Sequence, residues 1–463
     1  MLKRLVFFAV LVALIVVAVA CAPAPAPTAT AQPAAPAAPT KPAEPKALGP
    51  MTLELGGWTY DNAKVMQNLQ KYQEWAAKGT PAIDVKVTMS DAGYGDFDTF
   101  VTTRYAGGKS FDVLYSSDHW LAKWAAAGWV VPLEDYFPDA KKYAADITPF
   151  ALSAMTYKGK QYGLPYYADT MFFVYNKKIL ADAGISVPPT TWAEVTQQSL
   201  TIKNKGLSQT PVLIGFKAGS WFEEDLFAMF YSEGGKLFDD KNAAVFDAEK
   251  GPIFDMIEWV AKAINDDKIM PAKVMDMTAV DVQQAFKNGD AAFVIVPGYM
   301  MKEFNTPGVS KIAGQAAVSM MPGKTHNTNG FTRMYLLGKG AVADDAKKLA
   351  SLKLIEFFGG KTTVDGVTGY HIAKRWSIEN GLGFAFPSLW TDPAVDKAFS
   401  AMADTNVMKA QQALAFSKQG MSAPWFAEWI SSVRSQVQKA MLRQAKTADV
   451  LNGLKTLWTS LAK

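Results

Sequence analysis

The chain has 463 residues, 49% of them apolar, which is too long for one core and enough for about two or three domains. Its 47 basic and 43 acidic residues leave a net charge of +4, too weak and too evenly spread for a nucleic-acid surface, and no basic block with interleaved aromatics occurs. Cys21 is the single cysteine, which excludes an internal disulfide and a cysteine-based metal cluster. His119, His326 and His371 lie far apart with no ligand spacing, so neither a metal nor a cofactor is expected.

The N-terminus reads as a secretion signal over residues 1–20: Lys3 and Arg4, then an apolar run from Leu5 to Ala20. Ala18-Val19-Ala20-Cys21 looks like a lipobox with Cys21 as lipidation site, although leucine is usual where Ala18 stands; an uncleaved membrane anchor is the alternative, but about 20 apolar residues are normally needed to span. Residues 21–50 are mostly Ala, Pro and Thr, which cannot bury a core and read as a solvated tether.

From Met51 the chain opens as β-α-β. Thr52 to Leu55 is a strand leading into Gly56-Gly57-Trp58; Val65, Leu69, Tyr72 and Ala76 share a helical face; Ile83, Val85, Val87 and Met89 alternate as a second strand. A helix over Phe97 to Tyr105 and a strand over Phe111 to Tyr115 follow, the latter running into Ser116-Ser117-Asp118-His119-Trp120. Strands alternating with helices gather their binding loops at the strand ends, so Trp58 should meet the loop of Asp118 and Trp120.

In the stretch Tyr162 to Val195, Gly163 and Pro165 are expected to interrupt regular structure, leaving Tyr166 and Tyr167 in an exposed turn before a strand from Met171 to Tyr175. Lys177 to Ala183 reads as a helix stopped by Gly184, and Thr191 with Glu194 has capping-box spacing for the next helix. Further on come a strand from Val212 to Phe216, a helix with Leu226, Phe227 and Phe230, a helix over Phe254 to Ala263, and the run Phe286-Lys287-Asn288-Gly289-Asp290-Ala291-Ala292 before a strand from Phe293 to Val296. Met334 to Leu337 is a strand, and helices are expected over Asp344 to Phe358, Ala394 to Ala403, Trp425 to Leu442 and Ala448 to Leu461.

Gly163, Pro165, Tyr175-Asn176-Lys177, Ala183-Gly184-Ile185, Pro189-Thr190-Thr191-Trp192-x-Glu194 and the Phe286 to Ala292 run together resemble the family 1 extracellular solute-binding proteins of ABC importers, the maltose-binding-protein-like group. The resemblance implies an α/β, type II periplasmic-binding-protein-like fold of two lobes, each a central, mainly parallel sheet flanked by helices. Three hinge crossings would join them, near Tyr166 to Thr170, at Asn329 to Arg333 and within Gly381 to Leu389. Lobe 1 would comprise residues 51–166 and 331–384, lobe 2 residues 167–330 and 385–463. It further implies a monomer, lipid-anchored outside the cytoplasm, that hands a small solute to the transmembrane subunits of an ABC permease. The P-loop imitation Gly108-Lys109-Ser110 has Thr103 where a glycine is required, so ATP would be hydrolysed by other subunits.

A sugar cleft needs flat aromatic faces for the C–H surface of the ring and polar groups for its hydroxyls. The candidates at predicted loop positions are Trp58, Tyr94, Trp120, Tyr166, Tyr167, Trp221, Tyr299 and Trp425, with Asp118, Asp169, Asn329 and Arg333 as polar partners; Trp75, Trp124, Trp192 and Trp259 read as core. A sugar or oligosaccharide is the favoured ligand. A polyol phosphate, a polyamine or another small solute is the alternative for a binder, and an extracellular carbohydrate-active enzyme the alternative class, since a carboxylate pair is not excluded by composition.

Overall fold

The computed structural model describes residues 46–58 and 61–463; the signal segment, Cys21 and most of the tether lie outside them. The first strand begins earlier than the pattern suggests. Leu48 donates from its backbone N–H to Ala82 (2.9 Å) and pairs with Ile83, so Leu48–Gly57 is one strand and the tether does not extend to Pro50.

Two long strands organise everything else. Gly163–Asn176 and Thr328–Gly338 lie antiparallel, with Thr170 opposite Gly330, Asp169 opposite Phe331 and Tyr167 opposite Arg333. They belong to a ten-stranded sheet whose main path is Ile83–Asp91, Leu48–Gly57, Val113–Ser117, Thr328–Gly338, Gly163–Asn176, Phe293–Pro297, Val212–Leu213; Ala316–Ser319, Ala415–Phe416 and Val130–Val131 pair with the two long strands off this path. The strands of each βαβ unit pair in parallel, whereas both long strands run antiparallel to all their main neighbours. The sheet is therefore mixed instead of mainly parallel: a segment that crosses from one lobe and another that returns must run in opposite directions.

Gly163 and Pro165 do not interrupt this strand. Pro165 is accommodated next to a bulge in which the register jumps from Tyr167–Arg333 to Pro165–Met334, leaving Tyr166 unopposed. The bulge turns Tyr166 into the core, fully buried among Tyr115, Tyr335 and Trp376, so the expected exposed turn is absent.

Local signals elsewhere act as their chemistry requires. Val65, Leu69, Tyr72 and Ala76 form the buried face of the helix Asn62–Ala77. Asn176 caps Lys177–Asp182 by accepting from the amides of Lys178 and Ile179, Gly184 takes the left-handed conformation (φ +74°), and Thr191 with Glu194 closes a complete capping box. Between Lys361 and Gly420 the helices His371–Asn380 and Thr405–Ala413 arise where no pattern was read. Gly383 lies against Ala168 and Asp169, while Phe386 stacks on Tyr370 (3.6 Å) and Ser388 donates from its amide to Asp146. The third crossing thus keeps contact with the first half of the fold beyond Phe384.

Helices cover both regions of the sheet. Asp345–Gly359 packs on the two long strands and on Leu48–Gly57; around the other region, Phe426–Met441 packs against Pro252–Asn265 and Thr447–Leu461. Trp192 is typical of this second core: its indole N–H donates to Ser232 Oγ (3.0 Å) and its ring lies 4.7 Å from that of Trp259. Trp192→Ala should destabilise the protein by about 3–5 kcal/mol, the usual range for emptying a buried aromatic site. A lowered melting temperature with unchanged solute affinity is the expected result, checked by thermal unfolding alongside calorimetry.

Candidate functional site

A cavity of about 540 Å³ opens where the crossing strands meet the loops from both halves of the sheet. Its aromatic wall is Trp58 and Tyr94 from one side, Trp221 and Tyr299 from the other, and Tyr167 from a crossing strand. Each position follows from the topology. Trp58 immediately follows the first strand, Trp221 immediately precedes the helix Phe222–Ser232, and Tyr299 follows the strand Phe293–Pro297. Trp58 and Tyr94 meet edge to face at 5.3 Å, and Trp221 lies 6.4 Å from Tyr299.

Arg333 stands at the centre. Its guanidinium lies 5.4 Å from the Tyr94 ring, 5.8 Å from Trp221 and 5.0 Å from Phe331, and Nη2 donates to the Tyr94 hydroxyl (3.1 Å). Glu224, Gln283, Lys302, Glu303, Glu379 and Asn380, with Ser220 and Thr306, supply the remaining polar lining. Among the described residues, buried Glu224 Oε2 and Arg333 Nε have no hydrogen-bond partner, which is a costly state.

One end of the cavity is closed by charge. Lys418 Nζ donates to Asp118 Oδ2 (2.9 Å) and to Glu224 Oε1 (3.1 Å), and Arg333 lies 3.5 Å from Asp118 and 4.0 Å from Glu224. Burial pushes the Asp118 carboxyl up, but Lys418, the His119 hydrogen bond and Arg333 outweigh it and hold it well below the usual carboxylate range. Burial likewise raises Glu224, and here Lys418 only partly offsets it. For Lys418, the two carboxylates overcome burial and keep the ammonium charged. Behind this cluster Arg434 holds Glu223 through its Nε (2.9 Å) and Nη2.

Of the sequence candidates, Trp58, Tyr94, Tyr167, Trp221, Tyr299 and Arg333 line this cavity, while Asp118 belongs to the charged wall. The other five lie elsewhere. Trp120 is turned inward and stacks between Phe97 and Trp124 at 5.5 Å each, supporting Tyr94 from behind at 5.2 Å. Tyr166 is in the core for the reason given above. Trp425 packs on Trp458 (5.7 Å) at the start of the helix Phe426–Met441, away from the cavity. Asn329 donates to the Phe416 carbonyl (3.1 Å), tying a crossing strand to the short strand Ala415–Phe416.

Asp169 acts as a hinge residue. Its carboxylate accepts from the amides of Thr170 (2.8 Å), Tyr299 (3.1 Å) and Gly383 (3.4 Å), joining both ends of the cleft to the third crossing. Gly298 and Gly383 make the approach possible: a Cβ on either would come within 2.9 Å of the Asp169 carboxylate. Glu224 and Lys418 escaped sequence reading. Glu224 sits in the acidic first turn Glu223-Glu224-Asp225, which resembles an ordinary solvated helix start, and nothing local marks Lys418.

Among the described residues no group of three His, Cys, Asp or Glu side chains is placed to hold a metal, and no helix is long and apolar enough to cross a membrane.

Burial pushes Asp169 up to about 7 against the backbone amides that lower it. An acid with a folded pKa above its unfolded value of 3.8 binds its proton more tightly when folded, so its contribution favours folding at low pH and is lost between about pH 4 and 7. Stability should fall across that window by on the order of a few kcal/mol. Asp169→Asn, which loses one acceptor, should start less stable but decline less. Urea unfolding of both proteins at pH 5 and pH 8 checks this, and equal declines would contradict it.

Comparison with known proteins agrees with this geometry. The family model for bacterial extracellular solute-binding proteins matches residues 62–358. A putative binding protein of Brucella abortus is 26% identical over 235 residues, 50% of this chain and 55% of the relative, so the match spans about half the length of that curated relative. A maltotriose-binding protein of Pyrococcus abyssi is 30% identical over 148 residues, 32% of this chain and 30% of that protein. Among solved structures, maltose-bound MalE3 of T. maritima superposes with a TM-score of 0.72 at 19% identity, covering 89% of this chain and 99% of that one. With a family match over well more than half the chain, and a two-lobed mixed-sheet fold with an aromatic cavity at its crossings, this protein belongs to the bacterial extracellular solute-binding proteins.

Proposed function

We propose that the protein captures a sugar or sugar-like polyol between its lobes and delivers it to an ABC permease. The observation that carries this is the cavity wall: Trp58 and Tyr94 face Trp221 and Tyr299 across Arg333, with a free acceptor on Glu224 Oε2. Aromatic faces suit the C–H surface of a sugar, and the lone acceptor and guanidinium suit its hydroxyls. The maltotriose-binding relative and the maltose-bound neighbour support the same ligand class. A polyamine fits less well, because the cationic Arg333 occupies the centre of the site.

The lobes in this reading are residues 48–166 with the segment after Phe331, and residues 167–330 with the C-terminal helices. A ligand shifts such a hinge toward closure only through its differential contacts with the closed form, which here come from aromatic residues on both sides. Binding without turnover is the proposed activity, so a sugar incubated with the protein should be recovered unchanged. In this reading the protein acts as a monomer outside the cytoplasm, held to the membrane by a lipid on Cys21.

A thermal-shift screen of mono- and oligosaccharides and polyols tests the ligand class, since binding to the native state raises the melting temperature. With the ligand found, Trp221→Ala and Trp58→Ala should each weaken binding by about 2 kcal/mol or more, while Trp425→Ala, outside the cavity, should bind as the parent does. Calorimetry decides, and parental affinity in both cavity variants would remove the site from this cavity.

Lipidation has its own test. Cys21→Ala should abolish incorporation of a labelled fatty acid, because Cys21 carries the only thiol of the chain. Label retained in that variant would overturn the anchor.

A further inference from the structure

A second void of about 740 Å³ lies beyond the charged wall, and it shares no lining residue with the aromatic cavity. It is lined from one side by Pro149, Leu152 and Ser153 and from the other by Phe238, Asn242 and Gln419, so it too lies between elements of both halves of the sheet. One side chain links the linings of the two voids. Lys418 and Asp118 line the far void, Glu224 and Arg333 line the aromatic cavity, and Lys418 joins the two walls by donating to both carboxylates. The side chains of Lys418 and Asp118 are entirely buried and that of Glu224 is 2% exposed, so water does not solvate this junction.

We infer that Lys418 is a specificity-determining residue: its ammonium, locked between Asp118 and Glu224, closes the inner end of the cavity and restricts the ligand to a short saccharide. The inference rests on the sugar-binding reading above. Three properties make the wall selective. A cavity of this size, within the usual range for small-molecule sites, has room for a short saccharide beside its aromatic residues. A longer chain that continued inward would have to enter the far void, and to do so it would have to break a buried, hydrogen-bonded ion pair and leave carboxylates uncompensated. Lys418 also occupies Glu224 Oε1 while Oε2 has no partner among the described residues, so the same contact holds in place a carboxylate that lines the cavity. Exclusion by a costly mismatch is the physical form that specificity takes here.

The test is a length series of glucose, maltose, maltotriose and maltohexaose, titrated by calorimetry into the parent, into Lys418→Met and into the double variant Asp118→Asn/Lys418→Met. The single variant leaves buried carboxylates without their cation and can fail to fold. The double variant removes one charge of each sign and keeps similar volumes, so the wall becomes neutral without stranding a charge. Circular dichroism confirms that each variant used is folded.

In the parent, the best of the two shortest sugars should bind at least about tenfold more tightly than maltohexaose. In the double variant that ratio should shrink toward one, through gained affinity for the longer chains. A parent that binds maltohexaose as well as maltose, or a folded double variant with the parent's length preference, would overturn the role of Lys418 while leaving the sugar reading intact. A parent that binds none of the series and none of the polyols in the thermal-shift screen would overturn the sugar reading, and this inference with it.

Discussion

The antiparallel pairing of Gly163–Asn176 with Thr328–Gly338 is the constraint on which the rest of the molecule depends. Each strand contributes one end to each half of the sheet: the Gly163 end pairs only within the first region, and the stretch from Met171 to Tyr175 pairs with Phe293–Pro297. Neither half can move far without acting on residues such as Asp169 and Thr170 that lie between them. Side chains opposite each other at the middle of the pair, Tyr167 and Arg333, consequently form part of the cavity. The hinge and the floor of the site belong to the same pair of strands.

Placing charges at such a position has an energetic consequence. Asp118, Glu224, Lys418 and Arg333 are almost wholly removed from water, and each carries a desolvation cost that only its neighbours offset. The two carboxylates come from loops and helices on opposite sides of the cleft, after Val113–Ser117 and at the start of Phe222–Ser232, while Arg333 comes from a crossing strand and Lys418 from the chain beyond Ala415–Phe416. Two negative and two positive groups balance only while all four elements are together. Separating the halves would expose the members to water and relax their mutual dependence, so this cluster opposes opening less strongly than its short distances suggest. Its firmer role is geometric: it fixes Glu224 and Arg333 in one arrangement against the cavity.

The sequence made the scaffold legible where the signals were local. Capping by Asn176 and Thr191, the left-handed Gly184 and the apolar face of Asn62–Ala77 all depend on residues within a few positions of one another, and their chemistry was recoverable from spacing alone. Trp58, Trp221 and Tyr299 were found because the βα topology gathers strand-end loops on one edge. Legibility ended where the decisive partner is distant. Pro165 read as a breaker because the bulge that admits it is defined by Met334, and Tyr166 read as exposed because the rings that bury it, Tyr115, Tyr335 and Trp376, come from three other elements. Lys418 had no signature at all, since its partners are 300 and 194 positions away.

Asp118 and Asp169 show why residue type alone could not assign roles within the site. Asp118 follows the end of Val113–Ser117 and Asp169 lies within Gly163–Asn176, and both were equal candidates for a sugar hydroxyl. Asp118 faces two cations, so its charge is retained and its oxygens are already occupied by Lys418, Arg333 and the His119 and Ser117 groups. Asp169 faces no cation at hydrogen-bonding distance, only amides of Thr170, Tyr299 and Gly383, and burial without a countercharge raises its pKa instead. One carboxylate therefore closes a wall and the other joins a hinge. In the sugar reading proposed above, hydroxyl recognition falls to Glu224, which lines the aromatic cavity with Oε1 held by Lys418 and Oε2 without a hydrogen-bond partner among the described residues.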